Sequence, residues 1–335
     1  MRMVLFCAAC LALARSAIAQ DLVWPTPRPA MLEGRPLAEF IQPTESGTTE
    51  SGLFGCVRTS GRQFHEGVDL KPLNRDRRGE ATDPVVAVAP GVVRHVNAVS
   101  GLSNYGRYVV VEHTDMAPAI ITLYAPLGSI AAGVQAGSRV EAGTTLGVMG
   151  RSASTGIPRD RAHLHIEMGF WLGNGFPVWY QQQKYPSRNE HGLFNGMNVV
   201  SFDFLDYMEQ RRRGSVADLR GYLQSLPTAV TVVVKNPRVP DFVQRYPELL
   251  QSAPPASGVA GWRIEFTWFG VPKAWWPLDA AEAAAVQSQG TSIVFHDRAL
   301  LERYPCQTVL RTRGGSVSPG AKLQSTLDII FTPAR

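Results

Sequence analysis

Residues 161–168 read RAHLHIEM, and the interpretation of the whole sequence starts from them. The chain has seven histidines in 335 residues, and His163 and His165 stand one residue apart in an otherwise apolar run. In a β-strand, residues i and i+2 point to the same face. A strand here would place both imidazoles on one face and direct Leu164 and Ile166 into a core. Such a pair can hold a metal or a substrate, or it can be two surface histidines on an edge strand. This stretch alone leaves both interpretations open.

A second histidine-bearing stretch, FHEGVDL, offers donors of the same kind. Read as a strand, it places His65, Gly67 and Asp69 on one face, where the glycine would leave open space for an ion or a substrate. The same spacing is compatible with a turn in which Asp69 makes a local hydrogen bond. Zn²⁺ favours imidazole nitrogen and carboxylate oxygen, and a catalytic zinc site keeps three protein ligands and one open position. Three of the four residues His65, Asp69, His163 and His165 therefore form a candidate ligand set, with one histidine left beside it.

The first residues predict a secretory signal peptide at 1–19. Arg2 supplies a positive start, MVLFCAACLALA an apolar core, and Ala17-Ile18-Ala19 a cleavage site. The apolar run is too short to span a bilayer comfortably. A lipoprotein with Cys10 as the lipidated residue is the weaker alternative, because Cys7 stands where such a signal prefers Leu or Val. We expect a secreted or periplasmic protein with no membrane span in the mature chain.

Composition and charge indicate an ordinary globular protein, with 44% hydrophobic and 18% charged residues. Loss of Arg2 and Arg15 with the signal lowers the net charge from +5 to +3. This mild excess suits an anionic envelope polymer and is not the pattern of a nucleic-acid-binding protein. Cys56 and Cys306 would remain in the mature chain, where an oxidising compartment allows a disulfide. The sequence does not indicate whether the two are close, so paired and free forms both stay open.

Changes of composition divide the rest of the chain into four parts. Residues 20–50 are rich in Pro, Thr, Ser and Glu and indicate an N-terminal arm or linker. Residues 51–200 contain short apolar runs separated by glycines, which predicts a mainly β fold with an antiparallel sheet. Residues 201–227 predict a helical connector. Residues 228–335 predict an α+β domain of unknown role, with strands at TAVTVVVKN, WRIEFTWFGV and LDIIFTP and a helix at PLDAAEAAAVQSQ.

The paired motifs FHEGVDL and AHLHIEM, about 100 residues apart, resemble those of the lysostaphin/LytM-type zinc metalloendopeptidases. APGVVRHV, NYGRYVVVEHTD, ITLYAPL and GSRVEAGTTLGVMGRSASTG lie between them in that family's order, and the resemblance covers roughly residues 52–170. It implies an antiparallel β catalytic core, one zinc ion per chain and hydrolysis of peptide bonds in peptidoglycan stem or cross-link peptides. Which bond is cut, a glycine–glycine bridge or a D-amino-acid cross-link, stays open.

The resemblance also implies roles for individual residues. His65, Asp69 and His165 would hold the zinc, and His163 would act at the attacking water or at the scissile carbonyl. Glu167, on the histidine face of the predicted strand, could orient one of these ligands. A surface carboxylate is the alternative interpretation of Glu167.

One position departs from the family pattern. Members typically carry a catalytic histidine where this chain has Pro126, and proline has no acidic proton, no basic nitrogen and no backbone N–H. Loss of one such donor costs on the order of 10²–10³ in rate, so the enzyme could be slow but active. Three residues are candidate substitutes: Tyr124, expected to face the same way as residue 126 unless it is a core tyrosine; His113, which could instead be structural; and His191.

The second functional hypothesis is a LytM-like domain that has lost catalysis. Such a domain would bind and activate a cell-wall amidase, or it would bind peptidoglycan without metal. The intact ligand set favours the active hydrolase, because clustered histidines and an aspartate are an unusual combination to keep without a metal.

Overall fold

The computed structural model describes residues 22–286 and 290–334, and the expected signal peptide lies outside this part of the chain. The predicted fold class is confirmed: most elements belong to antiparallel sheets, and the C-terminal part is α+β. The strands of the first part are β1 (Gly55–Arg58), β2 (Gln63–His65), β3 (Val68–Leu70), β4 (Pro84–Val86), β5 (Gly91–Asn97), β6 (Arg107–His113), β7 (Ile120–Ile130), β8 (Arg139–Val140), β9 (Thr145–Met149), β10 (Leu164–Trp171) and β11 (Val199–Phe202). Those of the C-terminal part are β12 (Val230–Val234), β13 (Gly261–Phe266), β14 (Pro272–Leu278), β15 (Thr291–His296), β16 (Leu310–Arg313) and β17 (Ser316–Pro319).

The helices are short and lie mostly around and after the first sheet. They are α1 (Leu37–Phe40), α2 (Phe176–Gln182), α3 (Phe204–Arg212), α4 (Leu219–Ser225), α5 (Asp241–Arg245), α6 (Ala280–Ala284), α7 (Arg298–Arg303) and α8 (Ala321–Phe331). Among the described residues, none of these helices has the length and apolar character needed to cross a membrane.

Within the described residues, nine strands form the main antiparallel sheet, in the order β11-β10-β7-β6-β5-β8, with β3, β4 and β9 paired beside this path. β10 lies inside this sheet and pairs with three strands, β3, β7 and β11. Leu164 and Ile166 of β10 are fully buried in the core, as the alternation of a strand predicts. β3 lies beside β10 with Asp69 opposite His165, so the two histidine-bearing stretches meet in one sheet.

The N-terminal segment is part of the packed structure. Trp24, Phe40 and Ile41 are buried in the main core, and Ile41 forms an isolated antiparallel bridge with Leu70 of β3. Of the two expected forms, arm or linker, the buried side chains agree with an arm that packs against the first sheet. The arm buries a few large side chains without forming a long periodic element.

Two expectations about the later chain need correction. The expected boundary at residue 200 falls inside β11, which pairs with β10, so the first sheet extends to Phe202. The predicted strand LDIIFTP is instead the end of helix α8, whose buried residues include Leu323, Leu327 and Ile330. These positions follow the i, i+4, i+7 spacing of one helix face, and burial of that face outweighs the β-propensity of the isoleucines.

The other predicted C-terminal elements are present as β12, β13 and α6, and the predicted helices of the connector as α3 and α4. α6 ends at Ala284, and residues 287–289 of its predicted sequence lie outside the described part. β12–β15 form a second antiparallel sheet in the order β14-β13-β12-β15.

A disulfide joins the two parts of the chain. Cys56 of β1 is bonded to Cys306, 250 residues later, with their Cα atoms 5.5 Å apart. Beside it, the ring of Trp268 stacks on that of Tyr304 at 3.9 Å between centroids and contacts Phe54. The C-terminal region is thus covalently and hydrophobically attached to the β1–β2 hairpin.

We predict that the double variant Cys56→Ser/Cys306→Ser lowers the free energy of unfolding by about 2–4 kcal/mol, because the cross-link restricts the unfolded chain. Urea denaturation of the wild type, with and without reductant, and of the double variant would measure this. The reduced wild type should match the variant, and an unchanged midpoint in both would contradict the prediction.

Candidate metal centre

Three donor atoms converge where β3 meets β10. His65 Nε2 lies 3.0 Å from His165 Nδ1 and 3.2 Å from Asp69 Oδ1, and His165 Nδ1 lies 3.0 Å from the same oxygen. Two imidazole nitrogens and one carboxylate oxygen within 4.8 Å of one another are a donor set of the type zinc prefers. The predicted ligand residues are therefore together, and they fit one divalent metal ion.

Hydrogen bonds on the far side of each ring fix which nitrogen faces this point. His65 Nδ1 is 2.7 Å from the Leu53 carbonyl, which can only accept, so Nδ1 carries the proton and Nε2 keeps its lone pair. His165 Nε2 is 3.1 Å from Glu167 Oε1, which leaves the lone pair of Nδ1 for the cluster. Both rings are thus held in the tautomer that metal ligation requires.

Glu167 is a buried anchor and not a surface carboxylate, with a relative exposure of 2%. Besides His165, its oxygens accept from Tyr105 Oη at 2.6 Å and from Ser201 Oγ at 2.9 Å. Burial alone would raise the pKa of the Glu167 carboxyl, but its contacts with His165, Tyr105 and Ser201 hold that pKa below its usual value. The sequence prediction of an orienting role did not include Tyr105. The contact joins residues 62 positions apart, and no local sequence pattern indicates it.

Arg58 also contacts the cluster and was missed by the sequence interpretation. One guanidinium nitrogen, Nη2, lies 2.7 Å from His65 Nε2 and pairs with Asp69 Oδ2. A bulge between Cys56 and Arg58 in the β1–β2 pairing allows this, since bulges redirect side chains. No local sequence pattern indicates the contact of Arg58 with His65 and Asp69, because it depends on how the β1–β2 hairpin folds over the sheet.

The buried Asp69 carboxylate is stabilised by surrounding positive charge. Burial alone would raise the pKa of Asp69, but its contacts with His65, His163 and His165 hold it well below its usual value. An ionised carboxylate at this point is the form that binds a cation.

His163 lies beside the three donor atoms but is farther from Asp69 than the two ligand histidines are. Its Nε2 is 3.7 Å from Asp69 Oδ1, and its Nδ1 is 2.8 Å from the Arg161 carbonyl. Since that carbonyl accepts the Nδ1 proton, Nε2 is left as a basic nitrogen. Burial lowers the pKa of His163, and Asp69 opposes this shift. A neutral imidazole next to the cluster can accept a proton from a reacting group.

Gly67 permits the close approach of β10. The space above this glycine, expected to be open for an ion or a substrate, is occupied by Ile166 and His165. An added Cβ would lie 2.4 Å from the Ile166 carbonyl oxygen and 2.9 Å from His165 Cε1. The missing side chain thus makes room for the ligand ring itself.

We predict that Gly67→Ala costs about 1–3 kcal/mol of folding free energy through overpacking. By displacing His165 it should also weaken zinc binding about 10–100-fold, the range seen when a ligand loses its orientation. Chelator competition and urea denaturation would measure both. Gly221→Ala is the matched control, because its Cβ would meet only Asp218 Oδ1 at 3.4 Å, and it should leave zinc binding unchanged.

The cluster opens into a cavity of about 630 Å³. The residues that line it come from the N-terminal arm, β2 and the loops around β6, β7 and β10; they include Thr44, Arg58, Glu66, Tyr105, Ala125, Pro126, Thr155, Arg161, His163, His165, His191 and Asn195. Pro126 is therefore in the wall of this cavity, where it contributes no hydrogen-bond donor. Of the three candidate substitutes for the missing imidazole, only His191 borders the cavity.

Tyr124 and His113 are buried on the core side of the sheet. Tyr124 stands opposite Ile166 in the β7–β10 pairing, so its ring enters the core and its hydroxyl accepts from the Val88 N–H at 3.0 Å. Tyr124 is therefore the core tyrosine of the second interpretation, and its hydroxyl does not line the cavity. His113 Nδ1 donates to the Pro90 carbonyl at 2.8 Å, and its Nε2 lies 2.8 Å from Thr122 Oγ1.

We predict a pH-dependent stability that originates in His113. Burial lowers the pKa of this histidine from 6.5 to about 4, against the opposing effect of its bond to the Pro90 carbonyl. Its stabilising contribution is complete above pH 6.5 and is lost as the pH falls through about 4, up to about 3 kcal/mol. Urea denaturation at pH 7, 5.5 and 4 would measure this loss. His113→Gln should show a flatter pH profile, and an equal slope in both proteins would contradict the prediction.

The comparisons with known proteins address the same part of the chain. Residues 63–178 match the family model described as Peptidase family M23. This range contains His65, Asp69, His163 and His165, and it ends before His191. No curated protein matches the chain.

Three solved structures are among those that match part of the chain. A protein from Ruminococcus gnavus described as a glycyl-glycine endopeptidase LytM is 26% identical over 32% of this chain and 39% of its own, with a TM-score of 0.26. A zinc-containing peptidase from Vibrio cholerae is 22% identical over 45% of this chain and 37% of its own, with a TM-score of 0.30. The catalytic domain of lysostaphin from Staphylococcus simulans is 18% identical over 47% of this chain and 87% of its own, with a TM-score of 0.29. The chain thus spans about two-fifths of the length of the first two.

Proposed function

We propose that the protein is a zinc metalloendopeptidase that hydrolyses peptide bonds in peptidoglycan stem or cross-link peptides, and the match of residues 63–178 to the model of Peptidase family M23 supports this. The observation that carries the proposal is the convergence of His65 Nε2, Asp69 Oδ1 and His165 Nδ1 beside the free imidazole of His163. A structural ion pair alone would not need two imidazoles held in the ligating tautomer.

A zinc ion held by these three residues would supply Lewis acidity, which makes water a nucleophile near neutral pH. The other contributions come from the protein. Glu167 and the Leu53 carbonyl hold the ligand rings in orientation, so little reorganisation is needed when the site is used.

His163 is suited to move the proton. Its Nδ1 proton is held by the Arg161 carbonyl, so Nε2 can accept a proton from an attacking water and later return it to the leaving amine. This role is supported by the position of His163 in the cavity wall, with Nε2 3.7 Å from Asp69 Oδ1.

The cavity is suited to a peptide chain, because its polar lining residues can form hydrogen bonds with the backbone N–H and C=O groups of a bound peptide. Arg58 and Arg161 line the same space as Glu66, so the wall carries both signs of charge. Arg58 can pair with a substrate carboxylate when it is not engaged with Asp69, and stem peptides carry such groups.

A secreted or periplasmic location is part of the proposal. The expected signal peptide at 1–19 supports it, and so does the Cys56–Cys306 disulfide, because such bonds persist in oxidising compartments.

A second candidate function is supported by one observation, the proline in the cavity wall. With Pro126 in place of an imidazole, the domain would bind peptidoglycan or activate a cell-wall amidase without cleaving a bond itself. The complete donor set favours the enzyme, since a regulator has no need of a metal site.

The test is zinc content together with digestion of purified peptidoglycan of several cross-link types. We expect about one zinc per chain and release of new amino termini, both lost in His165→Ala. His296→Ala, in the exposed part of β15, is the matched control and should behave as the wild type. No release by the zinc-loaded wild type, combined with amidase activation that survives zinc removal, would establish the regulator and overturn the enzyme.

A further inference from the structure

His191 lies outside the family match, in the loop between α2 and β11, yet it lines the same cavity as His163 and Pro126. The loop is held by its own side chains. Asn189 Oδ1 accepts from the His191 backbone N–H at 3.3 Å and from Asn195 Nδ2 at 3.2 Å. These hydrogen bonds hold the backbone of the loop that carries the His191 imidazole at the cavity wall.

Tyr108 fixes the tautomer of this imidazole. Its hydroxyl oxygen lies 2.8 Å from His191 Nδ1, and within the described part of the chain this hydroxyl has no other hydrogen-bond partner. Tyr108 is fully buried, and burial raises the pKa of its hydroxyl, so it stays protonated. The O–H of Tyr108 therefore donates to Nδ1, and the proton of a neutral His191 ring is on Nε2.

The ring is neutral under ordinary conditions. Burial lowers the pKa of His191, and the neighbouring Glu190 only partly offsets this. A neutral imidazole with Nε2–H is a hydrogen-bond donor of the kind that stabilises negative charge on a carbonyl oxygen. Pro126, in the same cavity wall, has no such group.

We propose that His191 donates a hydrogen bond from Nε2–H to the carbonyl oxygen of the bond being cleaved, and so replaces the imidazole that position 126 lacks. Tyr108 is its positioning residue. The inference rests on the proposed peptidase function and deepens it. It requires no change in the zinc ligands, because His191 contacts none of them.

The experiment compares rates of amino-terminus release from purified peptidoglycan at limiting and saturating substrate. His191→Ala should lower kcat about 10²–10³-fold with little change in KM, as expected for a donor used only in the transition state. His191→Gln, which keeps an N–H donor, should recover part of the rate, and Tyr108→Phe should lower kcat less than His191→Ala does. Zinc content should equal that of the wild type in every variant, and His296→Ala should leave the rate unchanged.

The decisive variant is His191→Ala combined with Pro126→His, which should recover at least tenfold over His191→Ala alone. A wild-type kcat in His191→Ala, or a rise in KM alone, would overturn this inference and leave the zinc peptidase intact. Absence of any release by the zinc-loaded wild type would overturn the proposed function, and this inference with it.

Discussion

The pairing of β3 with β10 is the constraint on which the site depends. It places Asp69 directly opposite His165, and the ladder hydrogen bonds of the two strands fix that register. A slip of β10 by one residue would turn His165 to the core face and send Leu164 towards the cavity. The apolar residues of β10 oppose such a slip, because they are fully buried only in the observed register. The hydrophobic core therefore sets the positions of the polar donors.

Charge balance is the second requirement of this arrangement. A buried carboxylate without partners would be costly, and Asp69 is surrounded by Arg58 and three histidines. Glu167 repeats the pattern on the outer side of His165, where hydroxyls complete its hydrogen bonding. Acidic and basic groups thus alternate across the site. Each histidine ring has one nitrogen hydrogen-bonded to a carbonyl or carboxylate oxygen, and its other nitrogen faces the Asp69 carboxylate.

Much of this could be predicted from the sequence, because strand alternation is local. The i, i+2 spacing of His163 and His165 was sufficient to place them on one face, and glycine-separated apolar runs were sufficient for the antiparallel sheet. The errors concern residues whose environment is set from a distance. Two roles for Tyr124 stayed open in the sequence, and its pairing opposite Ile166 shows that it belongs to the core. The isoleucines of α8 were read as a strand, because the burial of one helix face depends on elements that are distant in the sequence. Arg58 reaches the donors through a bulge that no local pattern reveals.

The attachment of the C-terminal region has a consequence for how this protein can be dissected. Its Trp268 covers Phe54 and Phe64 of the hairpin that supplies His65, and Cys306 is bonded to the same hairpin. A truncated chain that stops before residue 228 would expose these aromatic rings and leave an unpaired thiol two residues from Arg58. The C-terminal region therefore supports the hairpin that carries His65, through one covalent bond and a cluster of aromatic rings.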